Sequence, residues 1–224
     1  VPAWYWWGWR AEQKTLDELR RLGADVQIQR VEAAGPARYL PERWAFLRDR
    51  AVGVRLNFLS PGLAGRLDFR PLGHLEVLEF RHSDVGDPVL AQIRGLTELR
   101  ALDLTGNPLD GAGLAHLVGC RRLEVLGLSR TGLTDAGLAH ARRLTWLRIL
   151  AVAETGLTDA GAAHLADLTS LKRLDLRDTN VTDAGLRHLH GLTALRNVLV
   201  TGTDVTEQGK RGLQAIQPNV TLDD

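Results

Sequence analysis

Four histidines, His116, His140, His164 and His188, recur at intervals of 24 residues. Imidazole is the commonest metal ligand and a frequent general base, so such a column raises a zinc site as its first chemistry. Zinc needs its ligands about 2.0–2.1 Å from a single ion. The residues around each histidine read as short helices, and packed helices stand about 8–10 Å apart. The column is therefore expected to lie along a surface as a repeated residue, and no metal is assigned to it. His74, His82 and His190 add no ligand spacing. Cys120, the only cysteine, sits where the other copies of the repeat carry leucine or isoleucine. It reads as a buried small hydrophobe rather than a nucleophile. A single cysteine also excludes an internal disulfide framework and a multi-cysteine zinc site. The four serines, Ser60, Ser83, Ser129 and Ser170, have no histidine–carboxylate partner in the frame, and no GxxxxGK[ST] or GxGxxG phosphate cradle is present. No catalytic residue and no cofactor are expected.

The elements that carry these residues follow from the repeat itself. From Leu123 to Ala194 one phrase, LxxLxLxxTxxTDAGLxHLxxLT, is written three times, give or take a residue. Leu123, Leu147, Leu171 and Leu195 open successive copies, and the frame reaches back through Leu99 and Leu75 to a fainter start at Ala51. A fixed period in the twenties marks a stacked-repeat solenoid. Positions 4 and 6 of the phrase are apolar in every copy, from Val54/Leu56 and Leu78/Phe80 to Leu174/Leu176 and Val198/Val200. That period of two predicts one short strand per coil, and stacking the coils makes a parallel sheet. Position 9, Asn107 and then Thr131, Thr155, Thr179 and Thr203, is expected to bond the backbone of the turn leaving each strand. Thr134, Thr158 and Thr182 read as helix N-caps, each followed by an aspartate that suits the helix dipole. Leu133 with Leu138, and Val181 with Leu186, form hydrophobic staples across that start. Glycines at 113, 137, 161, 185 and 209 weaken each helix, and a close approach between coils is the expected compensation. Helices at about 8–10 Å and strands at about 4.8 Å force the stack to curve with the strands inside.

These motifs resemble the leucine-rich repeat family over Ala51 to Pro218, and the LTDAGLxHLxxLTxL wording looks most like bacterial members of its ribonuclease-inhibitor-like class. The resemblance implies an α/β fold: a right-handed horseshoe solenoid with a parallel concave sheet, short convex helices and a small α/β N-terminal cap. It also implies protein–protein recognition through the concave face, without chemistry. The chain departs from the pattern at Leu59 to Leu72, where the first coil is degenerate. Ala162 and Lys210 replace core leucines in later coils, the lysine being expected where the last helix faces solvent.

On this frame the concave face offers Arg55, Phe58, Glu79, Arg81, His82, Asp103, Arg130, Glu154, Arg173, Asp175, Arg177, Asp178 and Asn197. Mixed signs suit a protein partner better than phosphate, and a net charge of +1 gives no global field for nucleic acid. Trp146, in the turn before a strand, is expected to pack on a neighbouring coil, with an exposed hot spot as the alternative. Ahead of the repeats, Trp4-Tyr5-Trp6-Trp7-Gly8-Trp9 followed by Arg10 has the composition of a membrane–water interface, the alternative being an aromatic plug. The chain holds no apolar run of about 18 residues. A helix over Ala11 to Leu22, a strand at Val26 to Ile28, a loop from Arg30 to Arg38 and a helix over Leu40 to Leu47 make the cap. The expected divisions are 1–10 for the tryptophan-rich segment, 11–50 for the cap, 51–218 for seven repeats and 219–224 for a terminal edge strand. The function expected is non-catalytic binding of a protein partner by a monomeric chain close to a membrane. The rival is a structural spacer or stalk with no concave partner.

Overall fold

The structure, a computed structural model, describes residues 3–30, 49–57 and 67–223. Phe58, the Leu40 to Leu47 helix with Trp44 and Phe46, and the loop beyond Arg30 lie outside the described residues.

The first helix, α1 (Ala3–Arg21), begins at Ala3 rather than at Ala11, so its backbone runs unbroken through the tryptophan-rich stretch. Leu16 and Leu19 are buried on one face, Leu22 is partly buried, and Gly23 ends the helix at φ +84°. That backbone region is open to glycine without steric cost, and it turns the chain toward the sheet. The Thr15 hydroxyl donates to the Asp68 carbonyl at 3.5 Å, tying α1 to the first coil.

Among the described residues nine strands lie in one sheet in sequence order: β1 (Asp25–Arg30), β2 (Asp49–Asn57), β3 (Val77–Arg81), β4 (Ala101–Asp103), β5 (Val125–Gly127), β6 (Ile149–Ala151), β7 (Arg173–Asp175), β8 (Asn197–Leu199) and β9 (Thr221–Asp223). β1 pairs with β2 antiparallel, with an irregularity between Gln27 and Ile28, and every later pairing is parallel. The parallel register is the repeat period: Leu78 lies beside Leu102, Leu126, Leu150, Leu174 and Val198 in turn. Positions 4 and 6 are buried throughout, and positions 19 and 22 meet them from the helix side through Leu117, Leu144, Leu165, Leu168, Leu189 and Leu192. The result is one continuous apolar core along the stack, closed near its start by Phe69 edge-on to Phe80 at 5.4 Å.

The helix side is shorter and tighter than a row of α-helices. It carries α2 (Leu90–Ile93), a 3-10 helix at Ala112–Gly119, α3 (Asp135–Ala139), α4 (Asp159–His164), α5 (Asp183–Arg187) and α6 (Glu207–Ile216). α3, α4 and α5 each finish in a 3-10 turn. Thr134, Thr158, Thr182 and also Thr206 cap their helices, each side chain accepting an N–H of the first turn. The aspartates do more than meet the dipole. Asp159 accepts the Thr182 N–H and hydroxyl, both at 2.8 Å, and Asp135 and Asp183 hold Thr158 and Thr206 in the same way. Each coil's aspartate thus fixes the next coil's cap. The compensation for the helix glycines is visible too, because a Cβ at Gly161, Gly185 or Gly209 would run into that carboxylate.

The last coil departs from the template. α6 continues as regular helix where earlier coils tighten, which rotates Ile216 outward to 55% exposure although its position is a core one elsewhere. Gln217 turns in instead, its amide donating to the carbonyls of Leu189 at 2.9 Å and His190 at 2.8 Å. Lys210 does not face solvent freely: its side chain is 12% exposed and its ammonium bonds Glu207 at 2.9 Å.

Candidate functional site

The concave face is built from positions 3 and 5 of each strand and from positions 7 and 8 beyond the buried residue at position 6. Its charges pair with one another. The Arg55 guanidinium donates to Glu79 at 2.9 Å and to Asp25 at 3.3 Å. Arg81 donates to Asp103 at 2.7 Å, and Arg130 to Glu154 at 2.7 Å. Most of these partners sit one coil apart in the chain and therefore side by side in the sheet. Asp175 is instead held within its own coil, where Arg177 grips both carboxylate oxygens at 2.9 and 2.7 Å. Burial pushes the Asp175 carboxyl up, but the Arg177 side chain and backbone N–H outweigh it, and the group stays below the usual aspartate range. Asn197 donates to Thr221 at 3.0 Å and to the carboxylate of Asp223. Arg173 is exposed and feels Asp175 only at a distance.

Position 8 forms a second column. His82, Arg130, Glu154 and Asp178 have φ of 50°, 57°, 53° and 53°, and Gly106 and Gly202 fill the same place at 73° and 72°. In these six coils the chain leaves the strand through a left-handed residue, a conformation that costs side-chain-bearing residues about 1 kcal/mol. Four coils accept that cost with a charged or polar side chain held at the sheet's rim. The imidazole of His82 lies over Gly106 and the carboxylate of Asp178 over Gly202.

Beneath position 8, the polar ladder runs inside the turn. Asn107, 2% exposed, donates to carbonyls of two coils and accepts the Ser83 and Val85 N–H groups at 3.0 Å. Thr131, Thr155, Thr179 and Thr203 donate to the carbonyl three residues back at 2.6–2.7 Å. Ser83 donates to Leu56 and Arg81 carbonyls, and Ser129 accepts the Ala153 N–H, so these hydroxyls are structural. The histidine column lies on the helix side, with His116, His140 and His188 exposed and His164 partly buried. Among the described residues no group of three or more potential ligands is placed to hold a metal ion. Cys120 is fully buried and its thiol is pushed up to about 11 by that burial. Trp146 is partly buried and packs against the core, as expected, with its indole N–H enclosed and without a partner.

What the charge pattern hides is an apolar column between the charged ends. Val77, Ala101, Val125 and Ile149 adjoin one another at position 3, and Gly127, Ala151 and Ala153 keep the relief beside them low. Ile149 is 37% exposed at its head. The signal was present in the sequence as a run of apolar residues at a position where a solvated sheet face carries polar ones. No helix among the described residues is long and apolar enough to cross a membrane.

Comparison with known proteins agrees with this geometry. The family described as Leucine Rich repeat matches at residues 96–118 and 167–189. Among solved structures, internalin C2 of Listeria monocytogenes aligns with a TM-score of 0.60 and 23% identity, over 76% of this chain and 70% of that one. Internalin F of the same organism aligns with a TM-score of 0.44 and 19% identity, over 74% of this chain and 58% of that one. No curated protein matches by sequence. With two repeat matches, a 24-residue register carried from strand to strand and one continuous leucine core, the chain is a leucine-rich repeat protein.

Proposed function

We propose that the chain is a non-catalytic binding module that holds a protein partner on its concave sheet, with the apolar column at the centre of contact. The observation that supports this most is Ile149. It stands exposed on a face whose ionic groups are otherwise mostly occupied by one another. An apolar centre within a polar rim is the anatomy of a protein interface, and curved solenoids use such surfaces for binding. In this reading the rim, Arg55, Glu79, Arg81, His82, Asp103, Arg130, Glu154, Arg173, Asp175, Arg177, Asp178 and Asn197, selects the partner. A cap through residue 50 seals the stack, and the coils from 51 to 218 do the binding.

The test is affinity capture from a native lysate, membranes included. Ile149→Asp and Val125→Asp are compared with His140→Asp on the helix side, with circular dichroism confirming the fold of each. Loss of the captured partner with the two concave variants and retention with the helix-side variant is expected. Retention by all three would sink the reading.

The spacer reading has one observation in its favour: cross-coil pairs such as Arg130–Glu154 also brace the stack as a rod. It predicts no partner at all. Membrane proximity rests on the composition of Trp4 to Trp9. It is checked by co-sedimentation with vesicles, with and without that stretch.

A further inference from the structure

The flank where the chain enters each strand carries its own column at template position 2: Glu76, Arg100, Glu124, Arg148, Lys172 and Arg196. From Arg100 onward each residue's N–H donates to the carbonyl of the one before it at 2.7–2.8 Å, so the six form an unbroken ladder. The first four alternate in sign and pair: Arg100 with Glu76 at 3.2 Å and with Glu124 at 3.6 Å, and Arg148 with Glu124 at 3.2 Å. The alternation then stops. Lys172 follows Arg148, and Arg196 follows Lys172, with no carboxylate between them.

Among the described residues Lys172 is exposed and makes no ion pair, and the Arg196 guanidinium donates only to the carbonyls of Thr193 and Leu195. Arg173, beside Lys172, faces an Asp175 whose two oxygens are both held by Arg177. Positive charge therefore gathers on the flank where the chain enters β7 and β8, in a chain whose net charge is only +1. Ile149 adjoins Arg173 in register, so the apolar column ends against this cluster.

We propose that Lys172, Arg173 and Arg196 form a cationic subsite for an acidic segment of the protein partner, with Ile149 seating an apolar side chain next to it. This rests on the reading of the concave face as a protein-binding surface. Cations on adjacent coils lie about 4.8 Å apart in backbone spacing and repel one another. Upstream, Glu124 relieves that repulsion for Arg100 and Arg148. A partner carboxylate takes the same role for Lys172 and Arg196. A phosphate polymer suits the site less well, because Glu124, Asp175 and Asp178 border it and Ile149 offers a polyanion nothing.

The test uses the whole chain and a fluorescein-labelled peptide of repeating Glu-Glu-Leu, read by fluorescence anisotropy at low and rising salt. Lys172→Glu/Arg173→Glu is compared with the charge-matched Arg187→Glu/Arg211→Glu on the exposed sides of α5 and α6. Binding by the wild type and the control is expected, with a loss of at least about tenfold in the flank variant. A milder pair, Lys172→Gln/Arg196→Gln, gives a smaller loss and guards against a folding defect in the first. Absence of peptide binding by the wild type overturns the proposal, as does an equal loss in the control. Tighter binding of oligothymidylate or phosphatidylglycerol vesicles than of peptide also overturns it. If Ile149→Asp abolishes capture of the native partner while peptide binding ignores Lys172 and Arg173, only this inference fails. If capture ignores Ile149→Asp, the concave reading fails with it.

Discussion

At the scale of single residues, the helix starts of adjacent coils are tied together by short polar side chains, aspartate to threonine. The Asp159 carboxylate is held by both donors of Thr182 and so cannot swing aside for a Cβ at Gly185, which would also press on Val181 at 2.6 Å. Helix propensity alone says Gly185→Ala should stabilise by about 1 kcal/mol. Crowding reverses the sign, and a net loss of about 1–2 kcal/mol is expected in urea denaturation. In an Asp159→Ala background the loss should shrink, because the carboxylate is gone. Titration gives a second check. The hydroxyl and N–H of Thr206 hold the Asp183 carboxyl below its ordinary range. A depressed folded pKa contributes stability above the unfolded value of about 3.9 and loses it as pH falls through the folded one. Asp183→Asn should therefore be less stable than the wild type at neutral pH. The gap should narrow in urea unfolding as the pH falls below about 3.9 and toward the folded pKa. A gap that persists undiminished in acid would refute the role given to this carboxylate. Cys120 offers the simplest reading of core integrity: its buried thiol should ignore a disulfide reagent at pH 8 until denaturant opens the stack.

At the scale of elements, the repeat made most of the fold legible before any coordinates. Alternation at positions 4 and 6 is a strand because one face is buried, and threonine before aspartate is a helix start because the first N–H groups need an acceptor. Both hold coil after coil. Truncating a strand leucine such as Leu174 to alanine should cost about 2–5 kcal/mol, measured by urea unfolding. What stayed illegible lies where the period gives no guidance. α1 starts at Ala3 because nothing in the tryptophan-rich stretch forbids helix, although its composition points to another role. α6 stays α-helical to Ile216 where earlier coils tighten into 3-10 turns, so the template places Ile216 in the core and the structure turns it out. Ile216→Lys should accordingly be tolerated within about 0.5 kcal/mol, whereas the same change at Leu192 should unfold the end of the stack.

At the scale of the molecule, the sequence located the concave face and listed the charges on it, but charge alone did not reveal which groups are available. Pairing depends on register. Once the coils stack at the repeat period, Arg81 must meet Asp103 and Arg130 must meet Glu154, which leaves Ile149 exposed and, among the described residues, Lys172, Arg173 and Arg196 outside the ion pairs. Site-specific photo-crosslinking tests the central claim most directly. A benzophenone side chain is placed at Ile149 on the sheet, and at His140 on the helix side as its counterpart. The purified chain is then irradiated in a native lysate. One dominant adduct from Ile149 and none from His140 is expected. An adduct formed at His140 and absent at Ile149 would contradict it, and would move the working surface to the convex side.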